Sequence, residues 1–129
     1  MVGGQALDLL GERKYLDSNA LNRLHSMKTG ALLTASLVIG GIAAAASDTT
    51  LAGLESFGRG IGLAFQVTDD ILDATEIAAD LGKHPSDGLL DKSTYVSLFG
   101  LDEAIARARE YAEEAAAALR GTGVDAPAL

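Results

Sequence analysis

No cysteine occurs among the 129 residues of this chain. Its absence excludes a disulfide framework, a thiolate metal site and a cysteine nucleophile together, and it suits a cytoplasmic location. Positive charge is scarce as well. Ten Lys and Arg stand against 18 Asp and Glu, a net charge of −8. Nucleic acid is bound through a basic surface, so it is not an expected partner. A diphosphate remains open, because a local basic pocket or a bridging metal can hold one on an acidic protein. The two histidines, His25 and His84, have no second histidine at metal-ligand spacing, and both are expected at the surface. The serines show no histidine–carboxylate pattern of a hydrolytic triad. Strand alternation persists nowhere, there is no internal repeat, and no signal peptide opens the chain.

What is present suffices for a core. Apolar residues make up 48% of the chain, and the length corresponds to one domain at most. Gly30 to Ser47 carries no charge over 18 residues, yet Thr34, Ser36, Gly40, Gly41 and a run of alanines keep it only mildly hydrophobic. That is the lower limit of a membrane-spanning helix, so a buried helix is expected and no transmembrane segment. The opening residues show neither a polar tail nor a capping signal and read as if inside an element.

The pattern predicts helices almost throughout. A short one covers about residues 3–10. The next is capped by Asp17 or Ser18, carries Leu21, Leu24, Met27, Ala31 and Leu32 at helical spacing, and runs to about Ala46 with bends at Gly30 or Gly40-Gly41. A third, capped by Asp48 or Thr49, spans about residues 50–78. Gly82, Pro85 and Gly88 break the chain into a loop from about 79 to 92. A short helix is expected over 94–99 and a long one, rich in Ala, Glu and Arg, over 102–120. Gly58, Gly60 and Gly62 lack the third glycine and the preceding strand of a dinucleotide fingerprint, so they are expected to allow close helix–helix approach.

The most informative stretch is Phe65-Gln66-Val67-Thr68-Asp69-Asp70-Ile71-Leu72-Asp73. From Gln66, positions i+3, i+4 and i+7 are Asp69, Asp70 and Asp73, all on one helical face. Like charges at this spacing repel by a few tenths of a kcal/mol per pair, and the neighbours are apolar. Two readings fit: a solvated acidic patch, or a seat for a hard divalent cation such as Mg²⁺, which takes one or two carboxylates plus substrate phosphates. The lysines are equally two-sided. Lys28, followed by Thr29, lies mid-helix, and Lys83 and Lys92 flank the loop after the acidic helix. Each is either a solvated or snorkelling residue or part of a cationic cradle facing the carboxylates.

In order along the chain, Gly4-Gln5-Ala6-Leu7-Asp8-Leu9, Lys28-Thr29-Gly30, Phe65-Gln66 with Asp69-Asp70-Ile71-Leu72-Asp73, Leu81-Gly82-Lys83 and Lys92-Ser93-Thr94-Tyr95 resemble the C-terminal portion of a trans-prenyl (polyprenyl) diphosphate synthase, the group containing farnesyl and geranylgeranyl diphosphate synthases. The resemblance covers residues 1 to about 120, with 121–129 as a frayed tail. It implies an all-α fold, the C-terminal part of an isoprenoid-synthase helical bundle around a deep cavity. It implies a reaction that ionises an allylic diphosphate and joins the cation to isopentenyl diphosphate. By the same resemblance Asp69, Asp70 and Asp73 hold Mg²⁺ against the allylic diphosphate, and Lys28 and Lys83 contact it. Thr29 and Gln66 stabilise the developing cation through oxygen dipoles. Gln5 and Asp8 line the cavity wall, and Lys92 stands near its mouth.

Two departures from the family pattern set expectations. Family members carry another aspartate-rich motif and substrate-binding arginines before the Gly-Gln string, and are usually more than twice this length. The loop after Gly82-Lys83 reads Pro85-Ser86-Asp87 in place of a second Gly-Lys-Asp. The chain is therefore expected to be inactive alone and to work as a homo-oligomer or with a complementary synthase chain. The alternative is a non-catalytic subunit that modulates a full-length synthase. A terpene cyclase fragment is less well matched, because Gly-Gln, Lys-Thr and Phe-Gln occur together.

Overall fold

The computed structural model of the chain describes residues 17–81 and 93–124. Every described element is helical: α1 (Ser18–His25), a π-helical turn (Ser26–Gly30), α2 (Ala31–Ala43), α3 (Asp48–Leu81), α4 (Tyr95–Phe99) and α5 (Leu101–Arg120). The expected helix over 3–10 and the loop over 82–92 lie outside the described residues. No described helix is long and apolar enough to cross a membrane.

Local chemistry accounts for most boundaries. Asp17 caps α1 by accepting the Ala20 N–H at 2.8 Å, one of the donors that a helix start leaves unsatisfied. The cap of α3 is one residue earlier than Asp48 or Thr49: Ser47 Oγ accepts the Thr50 N–H at 3.2 Å. This leaves Asp48 in the first turn, where its charge favours the helix dipole. The helix expected to run to about Ala46, with bends at Gly30 or Gly40-Gly41, is interrupted at the first of these places and ends just after the second. Its hydrogen-bond ladder widens to the π turn that ends at Gly30, and α2 ends at Ala43. There Ala45 takes a left-handed φ of 54°, and the Ala46 N–H reaches back to the Gly41 carbonyl at 2.9 Å, the bond of a Schellman end with alanine where glycine is usual. α3 continues to Leu81 rather than 78, since no breaker precedes Gly82. Thr94 and Ser97 form a capping box for α4, and Gly100, at φ +83°, turns the chain into α5.

The long α3 is the centre of the packing, with α5 along one side and α2 along the other. The glycines explain how this is possible. A Cβ at Gly58 would lie 2.7 Å from the Thr34 Cα on α2, and one at Gly62 would lie 2.5 Å from the Gly30 Cα in the π turn. A Cβ at Gly60 would meet the Ala115 Cβ on α5 at 2.8 Å. Positions 58 and 62 share one helical face and 60 points the other way, so the alternate glycines bring α3 close to both neighbours at once. Apolar side chains fill the space between. One cluster joins Leu21, Val67, Tyr95 and Ala104, and a second joins Leu54, Phe57, Ala115 and Leu119. Past α5, Thr122 packs on Gly53 and its hydroxyl donates to the Leu119 carbonyl at 2.7 Å.

The candidate diphosphate face

The Lys28-Thr29 pair falls inside the π turn, a geometry that often marks functional positions because it displaces one residue from the regular ladder. The contact of Gly30 with Gly62 seats this turn on α3. Gln66 lies one turn further along the same face of α3, and Asp69, Asp70 and Asp73 follow. The fold thus brings together two strings that lie more than thirty residues apart in sequence. Thr29 is half-buried and Gln66 is buried, at 7% exposure. The Lys28 side chain lies outside what is described, as do Gln5, Asp8, Lys83 and Lys92.

The carboxylates differ in setting. Asp69 and Asp73 are exposed, whereas Asp70 is half-buried, and its Oδ2 accepts the Tyr95 backbone N–H at 2.9 Å. Among the described residues no group of three or more His, Asp or Glu side chains is placed to hold a metal ion. The exposed pair, Asp69 and Asp73, stands about one helical turn apart.

Sequence reasoning missed the polar core beneath this face. Tyr95 is almost fully buried, its hydroxyl donates to Asn22 Oδ1 on α1, and it lies 3.2 Å from the Tyr111 hydroxyl on α5. Burial, with the Tyr111 hydrogen bond, pushes the Tyr95 phenol well above its ordinary range. His25, expected at the surface, is buried at 5% exposure, edge-on to the Tyr95 ring at a centroid distance of 5.8 Å. It sits four residues after the buried Leu21, on the inward face of α1, and that spacing was the available signal. On another side of the π turn lies an open groove of about 540 Å³. Ser26, Gly30, Thr34, Val38, Glu55 and Arg59 contribute to its lining, and Gln66, Asp69, Asp70 and Asp73 do not.

An all-helical fold with a π turn set against an aspartate-bearing helix defines the class, and comparison with known proteins narrows it. Residues 1–122 match the family model described as polyprenyl synthetase. The chain is 44% identical over 122 residues to farnesyl diphosphate synthase of Escherichia coli, covering 93% of this chain and 41% of that protein. It is 42% identical over 118 residues to the heterodimeric geranylgeranyl pyrophosphate synthase large subunit 1 of Arabidopsis thaliana, covering 88% of this chain and 31% of that one. Among solved structures it is similar to geranyltransferase from Helicobacter pylori complexed with magnesium and isoprenyl diphosphate. The TM-score is 0.76 at 36% identity, over 94% of this chain and 40% of that one. The chain belongs to the polyprenyl synthetase family, and it spans about two-fifths of the length of the E. coli relative.

Proposed function

We propose that this chain forms the allylic-diphosphate half of a prenyltransferase that condenses an allylic diphosphate with isopentenyl diphosphate in isoprenoid biosynthesis. One observation carries the reading. The π turn bearing Lys28-Thr29 and the helix bearing Gln66, Asp69 and Asp73 are packed together through Gly30 and Gly62, in a chain of the polyprenyl synthetase family. The H. pylori relative, whose structure holds magnesium and an isoprenyl diphosphate, supports the ligand assignment.

In this reading Asp69 and Asp73 hold Mg²⁺, which when bound supplies Lewis-acid neutralisation of the charge that grows on a departing diphosphate. Lys28 and Lys83 supply point charges to the same oxygens, and Lys92 adds a further positive charge near them. Thr29 and Gln66 turn oxygen dipoles toward the allylic carbon as it loses its leaving group, and Gln66 does so from a buried position, where a dipole acts at lower dielectric than in water. Gln5 and Asp8 complete the wall. Exclusion of water by the apolar neighbours protects a carbocation from capture.

No second aspartate-rich string occurs among the 129 residues, and turnover is assigned to an assembly or a longer chain, in the cytoplasm. The heterodimeric name of the Arabidopsis relative supports a partner chain. Isothermal calorimetry with inorganic diphosphate tests the core of the proposal. Binding by the 129-residue chain is expected to need Mg²⁺ and to be lost when Asp69→Ala and Asp73→Ala are combined. The same chain should show no condensation of dimethylallyl or geranyl diphosphate with isopentenyl diphosphate. Binding that ignores Mg²⁺, or that survives the double substitution, contradicts the assignment.

A further inference from the structure

Within that reading, on which this inference rests, the three aspartates need not share one task. We propose that Asp70 is a positioning residue, which braces α4 against α3, and that the cation is left to Asp69 and Asp73. Tyr95 opens α4, and a first-turn N–H has no acceptor within its own helix. Asp70 supplies one from 25 residues away, at 2.9 Å. The capping box of Thr94 and Ser97 serves other polar groups of the same turn, so the carboxylate completes the cap instead of duplicating it.

The other end of the brace is equally well fixed. The Tyr95 hydroxyl donates to Asn22 on α1 and lies 3.2 Å from the Tyr111 hydroxyl on α5. Its ring packs on His25 and Phe99. A single residue therefore ties α1, α4 and α5 together, and its backbone N–H joins them to α3 at the middle of the acidic string. An N–H bonded to a carboxylate is a charge-assisted contact, stronger than a neutral one, and half-burial shields it from water. Asp69 and Asp73 are exposed. The helical period turns Asp69 about 100° away from Asp70 and brings Asp73 back within a turn of Asp69. The brace then determines how the pair is presented, because α3 cannot roll relative to α4 without breaking it.

Two readouts on the full 129-residue chain test this. The first is hydrogen exchange at the residue-95 amide, which needs no ligand. Asp70→Ala should speed it more than about tenfold, the loss of a hydrogen bond to a charged acceptor. Asp70→Asn, which retains an acceptor oxygen but loses the charge, should fall between Asp70→Ala and wild type, and Asp69→Asn and Asp73→Asn should stay close to wild type. The second is the Mg²⁺ concentration at half-maximal binding of inorganic diphosphate. Asp69→Asn and Asp73→Asn should each raise it more than about tenfold, as expected where a charged partner is lost, and Asp70→Asn by less than about threefold. An unchanged amide in Asp70→Ala overturns the brace, and so does an Asp70→Asn midpoint as high as those of its neighbours. If the wild type shows no Mg²⁺-dependent binding at all, the functional reading fails, and the exchange of Asp70→Ala against Asp70→Asn still decides the brace.

Discussion

Gly62→Ala is the most direct perturbation of the contact that assembles the candidate site. The added methyl would stand 2.5 Å from the Gly30 Cα and 3.3 Å from the Gly30 nitrogen. Carbon pairs are comfortable at roughly 3.5–4.0 Å, so the π turn has to retreat from α3 by about 1 Å. Both partners are backbone, and no flexible side chain can absorb the shift. Overpacking of this kind costs about 1–3 kcal/mol. Replacing a mid-helix glycine by alanine returns up to about 1 kcal/mol of propensity. A net loss of ~1–2 kcal/mol is expected, and at roughly 3–5 °C per kcal/mol for a chain of this size the melting temperature should fall by about 5 °C. Gly40→Ala is the control. It is also helical, but a Cβ there meets nothing within 4 Å, so propensity alone acts and stability should rise by up to about 1 kcal/mol. Thermal and urea unfolding of the pair isolates the contact from the propensity. Because the retreat carries the π turn away from α3, Gly62→Ala should also weaken Mg²⁺-dependent diphosphate binding, which Gly40→Ala should leave intact. A Gly62→Ala chain that melts at or above wild type refutes the close seating of the π turn.

Two further outcomes follow. The Tyr95 phenol is held protonated in the fold above the range at which it ionises in the unfolded chain. Its contribution is therefore complete below about pH 10 and is lost as pH rises beyond that. Urea midpoints between pH 8 and 11.5 should fall on the alkaline side, and Tyr95→Phe should flatten that fall. Leu32, Ile39, Ile42, Phe65 and Leu72 are all more than half exposed, an apolar surface of the sort that associating proteins carry. Sedimentation velocity should show self-association that grows with concentration, and a sharp monomer that binds no hydrophobic dye would show that the helices are self-sufficient.

The acidic face was legible from spacing alone, because Gln66, Asp69, Asp70 and Asp73 fall on one side of any helix that contains them. The helices themselves follow from local terms. Alanine- and leucine-rich stretches, a capping aspartate at 17 and a threonine–serine box at 94–97 each act within one turn of chain, and no partner is needed to read them. The alternate glycines likewise announced close approach. What they approach could not be read, since Gly58, Gly60 and Gly62 would look the same whichever helices lay alongside. The π turn at Ser26–Gly30, the burial of His25, and the bond that takes Asp70 out of a uniform acidic triplet all depend on residues far away in sequence. Helix propensity and side-chain period are near-neighbour properties of the chain, whereas burial and hydrogen-bond partners depend on which faces meet. That choice is made only when α3 is flanked by α2 and α5 and Tyr95 is set among α1, α3 and α5.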